Sequence, residues 1–309
     1  MMRNLDRKRD AILITGPTAS GKSALAVRLA AEHGGVVVNA DSMQVYDTLD
    51  ILTARPQPDD MGGIEHRLYG HVPAGATYST GDWLREATSV VTELRQREKL
   101  PVFVGGTGLY FRALMGGLSD MPAIPEAVRT RLRARLVQEG AEALHHALEI
   151  GDPQTAARLK PADGQRIVRA LEVLEATGQS ISAFQAARGP AVIDADRAQK
   201  IVVLPDRAVL AARIDRRFGA MLASGAVAEV QALLALDLSP AMPVMKAIGV
   251  PQIAAMLADE MSAAEVAERG AAATRQYAKR QMTWFRNQLD ESWQRIDPLA
   301  PTGTPGEPF

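Results

Sequence analysis

Cysteine is absent from the 309 residues, which excludes disulfides, thiolate catalysis and cysteine-ligated zinc. Histidine is scarce as well. His33, His66, His71, His145 and His146 show no metal-ligand spacing. His145 and His146 are adjacent, point in different directions on a helix and read as surface residues. No run approaches the roughly 18 apolar residues of a membrane helix. The charged start, residues 1–10, has no apolar stretch of the kind a signal peptide needs. A cytoplasmic protein without membrane contact is expected. Neither sign of charge dominates: 35 Lys and Arg against 36 Asp and Glu leave a formal net charge of −1. Any basic surface must therefore be a local patch. There is no internal repeat.

What is present is an apolar content of 47%, in a chain long enough for one large domain or two modest ones. Short apolar runs at 11–14, 36–38, 101–104 and 200–204 alternate with helical spacing at 25–31 and 83–97. That alternation predicts an α/β fold with a parallel sheet flanked by helices on both faces. Between 116 and 190 the strand runs stop. Helical spacing at 126–139, 141–149 and 165–176 reads as a helical insertion domain between two sheet strands. The core domain is then discontinuous, 1–115 and 191–296, and helical again from 207 to about 294. The tail, 297–309, carries four prolines and two glycines and reads as loosely ordered.

Gly16-Pro17-Thr18-Ala19-Ser20-Gly21-Lys22-Ser23 fits the pattern G-x-x-x-x-G-K-[ST] between a predicted strand and a predicted helix, the context a P-loop requires. Its glycines let backbone N–H groups turn toward an anion at a helix N-terminus. Lys22 can bridge phosphate oxygens, and the Ser23 hydroxyl suits Mg²⁺. The motif speaks for a polyphosphate or pyrophosphate without saying which molecule carries it. Asp41 follows the second predicted strand, at the edge where open α/β sheets bind ligands. There it serves as a Mg²⁺ ligand, a general base or a turn cap, and position alone leaves these open. Gly105-Gly106-Thr107-Gly108 follows the third strand; Thr107 can donate to a phosphate oxygen, or the segment is a tight turn. Arg213, Arg216 and Arg217 either clamp phosphate or pair on the surface with Asp206 or Asp215. Residues 269–287 hold Arg269, Arg275, Lys279, Arg280 and Arg286 and no acid. Tyr277, Trp284 and Phe285 interleave with them, some of them core-facing. This is a phosphate-backbone stripe or a solvated basic face.

Together these pieces resemble the tRNA dimethylallyltransferase family, bacterial core form, over residues 11–286. The P-loop matches including Pro17 and Thr18. Further matches are 39–46 with Asp50, Ile51, Thr53, Ala54 and Pro56; 104–110; Asp163, Arg166, Ile167 and 169–173; 213–222; 247–249; and 274–276 with 278–281, Thr283 and Trp284. The chain departs from the family at Leu52, where glycine is usual, at Arg55, at 160–163 and at Val250-Pro251. The resemblance implies a P-loop NTPase-like sheet. It implies transfer of a dimethylallyl group from dimethylallyl diphosphate to N6 of the adenosine 3′-adjacent to the anticodon, with release of pyrophosphate. Gly16 to Ser23 would hold the donor and Asp41 would be the general base. Lys22, Thr107, Arg217 and Mg²⁺, the latter at Ser23, would stabilise the leaving pyrophosphate. Asp41, Ser42, Met43, Gln44, Thr107, Gln165, Arg166, Ile167, Val168, Arg169, Lys246, Lys279, Arg280, Gln281 and Arg286 would meet the tRNA anticodon stem-loop. The insertion would be a movable clamp, and the enzyme a monomer. The runner-up is a P-loop small-molecule kinase of the nucleoside or shikimate type, which would use Lys22, Ser23 and Asp41 with ATP but gives no reason for the basic helix. A non-enzymatic RNA-binding ATPase would need a later strand ending in acids, and none is found.

Overall fold

The computed structural model describes residues 9–116, 118–119, 121–186 and 189–297. The charged start up to residue 8 and the tail from 298, read above as loosely ordered, lie outside them. Two compact units emerge: Met1–Met115 with Val192–Phe309, and Gly116–Ala191. In chain order the elements are β1 (Ala11–Thr15), α1 (Lys22–His33), β2 (Gly35–Asn39), β3 (His66–Arg67), α2 (Thr80–Gln96), β4 (Leu100–Gly105) and α3 (Gly108–Gly116). Then come α4 (Glu126–Gly151), α5 (Pro153–Ala156), α6 (Gly164–Thr177) and α7 (Ile181–Ala186). The chain ends with β5 (Ala198–Val203), α8 (Arg207–Ala223), α9 (Ala226–Leu234), α10 (Val250–Leu257), α11 (Ala263–Gln288) and β6 (Gln294–Ile296).

The first unit is built on a parallel six-stranded sheet in the order β3-β2-β4-β1-β5-β6. Its inner strands carry apolar runs because both faces are covered there. Side chains alternate between two cores with a period of two. Ala11, Leu13, Val36, Val38, Phe103 and Val202 enter one core, together with Trp83, Ala87, Val91 and Leu94 of α2. Ile12, Ile14, Val37, Val102, Val104, Ile201 and Val203 enter the other, against Leu25, Ala26, Leu29 and Ala30 of α1. Each fully buried Leu or Ile contributes roughly 1.5–3 kcal/mol. Helix α2 starts where Ser79 and Asp82 cap each other: Ser79 Oγ accepts from Asp82 N at 3.2 Å, and Asp82 Oδ2 accepts from Ser79 N at 2.9 Å. Parallel crossovers leave the loops after β1, β2, β4 and β5 at one edge of the sheet, the carboxyl edge.

Strands β3 and β6 are not foreseen by the apolar pattern, and the helical stretch expected to about 294 ends at Gln288. Both are edge strands of two and three residues, and short polar edges carry no hydrophobic run.

In the second unit α4 packs along α6 around Leu132, Leu144, Leu148, Ile167, Leu171 and Val173, all buried. Gly140 has φ 85° and breaks α4 in two, where the sequence leaves a gap between 139 and 141. His145 is a correction: it is 8% exposed, not a surface residue. Its Nε2 lies 3.1 Å from Ala156 O and 3.2 Å from Leu159 O. Carbonyls only accept, so Nε2 carries a hydrogen and donates it to them; Ala156 O also accepts from Leu159 N at 2.9 Å. His146 is exposed as expected. Among the described residues no helix is long and apolar enough to cross a membrane.

Candidate active site

The loop between β1 and α1 turns through two left-handed residues, Ala19 (φ 64°) and Gly21 (φ 90°). Alternation of this kind aims successive N–H groups into one concavity. A cavity of about 480 Å³ is lined there by residues 19–24 and by Arg213, Arg216, Arg217 and Ala220 of α8. Ser20 Oγ is buried on this wall with no hydrogen-bond partner among the described residues. Lys22 Nζ donates to Pro17 O at 3.2 Å. Burial pushes the Lys22 ammonium down to about 8; the Asp41 carboxylate opposes that shift and Arg217 adds to it. An anion in the cradle would favour the charged ammonium and raise the pKa again.

The three arginines of α8 are not neutralised in the way the surface alternative supposes. Asp206 caps α8 by accepting from Ala208 N and Val209 N at 2.8 and 3.2 Å. Asp215 pairs with Arg275 of α11. Arg217 donates instead to Thr18 Oγ1 in the P-loop. Burial, then the charge of Arg213, lowers the Arg217 pKa, and Asp41 works against both.

Asp41 leaves β2 in a fixed pose. Asn39 is fully buried; its Oδ1 accepts from Asp41 N at 2.8 Å and its Nδ2 donates to Asp41 O at 3.0 Å. The Asp41 carboxylate accepts from Met43 N through Oδ1 at 3.0 Å, and Oδ2 faces Gly106. Gly105 and Gly106 are required by close approach. A Cβ on Gly105 would collide with the Ala40 carbonyl, and one on Gly106 with the Gln281 amide. Thr107 has partners within the fold. Its hydroxyl accepts from Ser42 N at 3.0 Å and donates to Ser42 Oγ at 3.3 Å. Its one hydrogen points to Ser42 here, and Thr107 holds the Asp41 loop.

A second cavity, about 310 Å³, joins these parts. Thr18, Asp41, Ser42, Met43, Arg217, Lys246, Tyr277 and Arg280 line it, with an apolar side made of Leu52, Ile214, Phe218 and Met221. Arg217 lines both cavities. Tyr277 is on the cavity wall. Only Phe285 is deeply buried; Trp284 packs against Gly108. Leu52, a departure from the family pattern, fills the space a side chain on Gly249 would need, since a Cβ there would lie 2.6 Å from Leu52 Cδ2. The 50–52 loop is held by Glu229 of α9, which sequence reasoning missed. Its carboxylate accepts from Asp50 N, from Ile51 N at 2.8 Å and from Leu52 N at 3.0 Å. Nothing in the pattern around Glu229 singles it out, because the contact spans the fold.

The residues expected to meet RNA divide by exposure. Lys246, Lys279, Arg280, Arg286, Gln165 and Arg166 are exposed and Arg169 is half-buried. Ile167 and Val168, at 0% and 6% exposure, are core residues of the second unit. Gln44 uses Nε2 on Thr53 O and Ala54 O, both at 2.9 Å, and Gln281 is buried. These four side chains are committed to protein.

Mg²⁺ binds by hard oxygens and keeps few protein ligands when phosphates share its shell. Among the described residues no group of three acidic or histidine side chains could hold a metal ion. A metal caged by protein alone does not fit. An ion arriving with phosphate oxygens does fit, with the Ser23 hydroxyl exposed on the first turn of α1 beside the cradle.

Comparison with known proteins matches this chain to the family described as IPP transferase over residues 44–288 and to the isopentenyl transferase family over residues 9–72. A tRNA dimethylallyltransferase of Rhizobium meliloti (strain 1021) is 71% identical over 96% of this chain and 98% of its own. Among solved structures, a full-length tRNA isopentenylpyrophosphate transferase from Bacillus halodurans is 33% identical, with a TM-score of 0.67, over 94% of this chain and 90% of that one. A eukaryotic dimethylallyltransferase acting on tRNA is 27% identical, with a TM-score of 0.77, over 89% of this chain and 69% of that one.

Proposed function

The chain belongs to the tRNA dimethylallyltransferase family, and from there we propose that it moves the dimethylallyl group of dimethylallyl diphosphate to N6 of the adenosine 3′-adjacent to the anticodon. Pyrophosphate is released. Arg217 is the observation that carries the assignment of parts: it lines the P-loop cradle and the Asp41 cavity at once, so donor phosphates and acceptor base can meet across one side chain.

The chemistry follows from charge. The adenine N6 lone pair is delocalised into the ring, so the amine needs proton removal as it attacks. Asp41 takes that proton. N6 bonds to the allylic carbon as the carbon–oxygen bond to pyrophosphate breaks. The leaving group gathers negative charge, and groups already in place stabilise it without reorganising: the P-loop N–H groups, Lys22 and Arg217. Mg²⁺, held through Ser23 and the phosphates, would supply further positive charge. The apolar side, Leu52, Ile214, Phe218 and Met221, suits a hydrocarbon group and keeps water from the allylic centre. The target base must leave its stack, at a cost of a few kcal/mol that is least in a loop. Lys246, Lys279, Arg280 and Arg286, with Gln165, Arg166 and Arg169 on α6, would hold the RNA. We place the enzyme in the cytoplasm as a monomer, which light scattering at assay concentration checks.

The test is label transfer. Protein, Mg²⁺, labelled dimethylallyl diphosphate and unmodified tRNA should give prenylated tRNA. A parallel sample carries ATP labelled at its terminal phosphate, with nucleosides and shikimate. Label leaving ATP for a small acceptor, with no prenyl transfer, would assign the P-loop to a kinase.

A further inference from the structure

Helix α11 carries exposed Lys279 and Arg280, and the next residue turns inward. Gln281 is 6% exposed. Its Oε1 accepts from Thr18 N at 3.0 Å and its Nε2 donates to Gly106 O at 3.0 Å. One amide therefore ties the P-loop to the loop after β4. Both contacts lead to reacting groups. Thr18 also holds Arg217 through its hydroxyl. Gly106 faces Asp41 Oδ2, at 3.4 Å from where its Cβ would be, and the neighbouring Thr107 N–H donates to Ala40 O at 3.2 Å. The two loops come from different strands, and β1 and β4 fix only their roots. We propose that Gln281 is a positioning residue that sets the gap between the donor phosphates and the base, Asp41, rather than an RNA contact. The proposal rests on the prenyl-transfer reading. A neutral amide suits the place: one end must accept and the other donate, and neither a carboxylate nor an ammonium does both.

Two variants of the full-length protein test this, with wild type assayed beside them; absence of transfer by wild type would sink the prenyl-transfer reading itself, not this one. Gln281→Met keeps length and volume but has neither polar end. A misplacement of about 1 Å between reacting groups costs about 100-fold, so kcat should fall about 100-fold while tRNA Kd and the KM for dimethylallyl diphosphate stay within about threefold. Gln281→Glu keeps the acceptor and donates only when its carboxyl is protonated. Its kcat relative to wild type should therefore rise as pH falls from 8 to 5. Gln281→Met with wild-type kcat, or with tRNA affinity lost in step with rate, would overturn the proposal. So would a flat ratio for Gln281→Glu, which is what a merely structural residue gives.

Discussion

Asp41 can be changed without disturbing its surroundings, because Asn39 holds its backbone and Met43 N needs only an acceptor oxygen. Asp41→Asn keeps that acceptor and removes the base. We expect kcat to fall about 10²–10⁴-fold with tRNA binding retained; equal loss of binding and turnover would reject Asp41 as the base. Lys22 predicts a pH effect. With its pKa at about 8 against an ordinary 10.5, the folded, ligand-free protein sheds the proton near pH 8 and the unfolded chain keeps it to about 10.5. Across that window the unfolded state binds more protons, so stability gains as pH rises. Affinity for inorganic pyrophosphate runs the other way, weakening by up to about tenfold per pH unit above the pKa. Calorimetric titration from pH 7 to 9.5 reads this directly, and Lys22→Arg, which keeps its charge, should flatten the profile. The P-loop is legible in sequence because glycine spacing encodes its backbone. Arg217 and Gln281 are picked out only by the family resemblance, and their contacts are not legible at all: the partners lie 199 and 263 residues away. His145 is missed for a different reason: its partners lie only 11 and 14 residues on, but apolar spacing does not reveal a histidine that serves backbone carbonyls.

At the scale of elements, the four inner strands are readable because two-sided burial leaves them unbroken runs of apolar residues, whereas β3 and β6 need only pair along one edge. Helix α11 has two jobs on two faces. Val266, Ala271, Ala278 and Phe285 face inward, while Arg275 is tied to Asp215. Lys279 and Arg280 remain exposed, the latter 5.6 Å over the Tyr277 ring. Each phosphate contact removed should reduce the slope of log affinity against log salt by about 1 or slightly less. Lys279→Ala with Arg280→Ala should thus weaken tRNA binding and flatten that slope by up to about 2, measured by filter binding from 50 to 300 mM salt (a range chosen around the usual ~0.15 M). An unchanged slope would remove this face from the RNA footprint.

For the whole molecule, the composition shift near residue 116 reflects a unit with its own apolar core, separate from the two cores that cover the sheet. The chain leaves the first unit after Met115 and re-enters at Val192. Val192 N and Ile193 N both donate to Leu114 O, at 2.9 and 3.1 Å, so the exit and return lie side by side. Replacing 116–191 with a short Gly/Ser linker should therefore leave one cooperative urea transition and pyrophosphate binding, with transfer to tRNA lost. A protein without a transition would show that the core depends on the insertion.

The strand order also dictates a history. Strand β1 pairs with β4 on one side and β5 on the other, and Gly116–Ala191 is translated between those two partners. At about 5–20 residues per second, β1 to β4 are made several seconds before β5, and until β5 arrives that edge of β1 has no strand to pair with. That edge is where newly made chains would meet a chaperone or each other. The insertion, complete before β5 leaves the ribosome, can fold while the sheet waits to close.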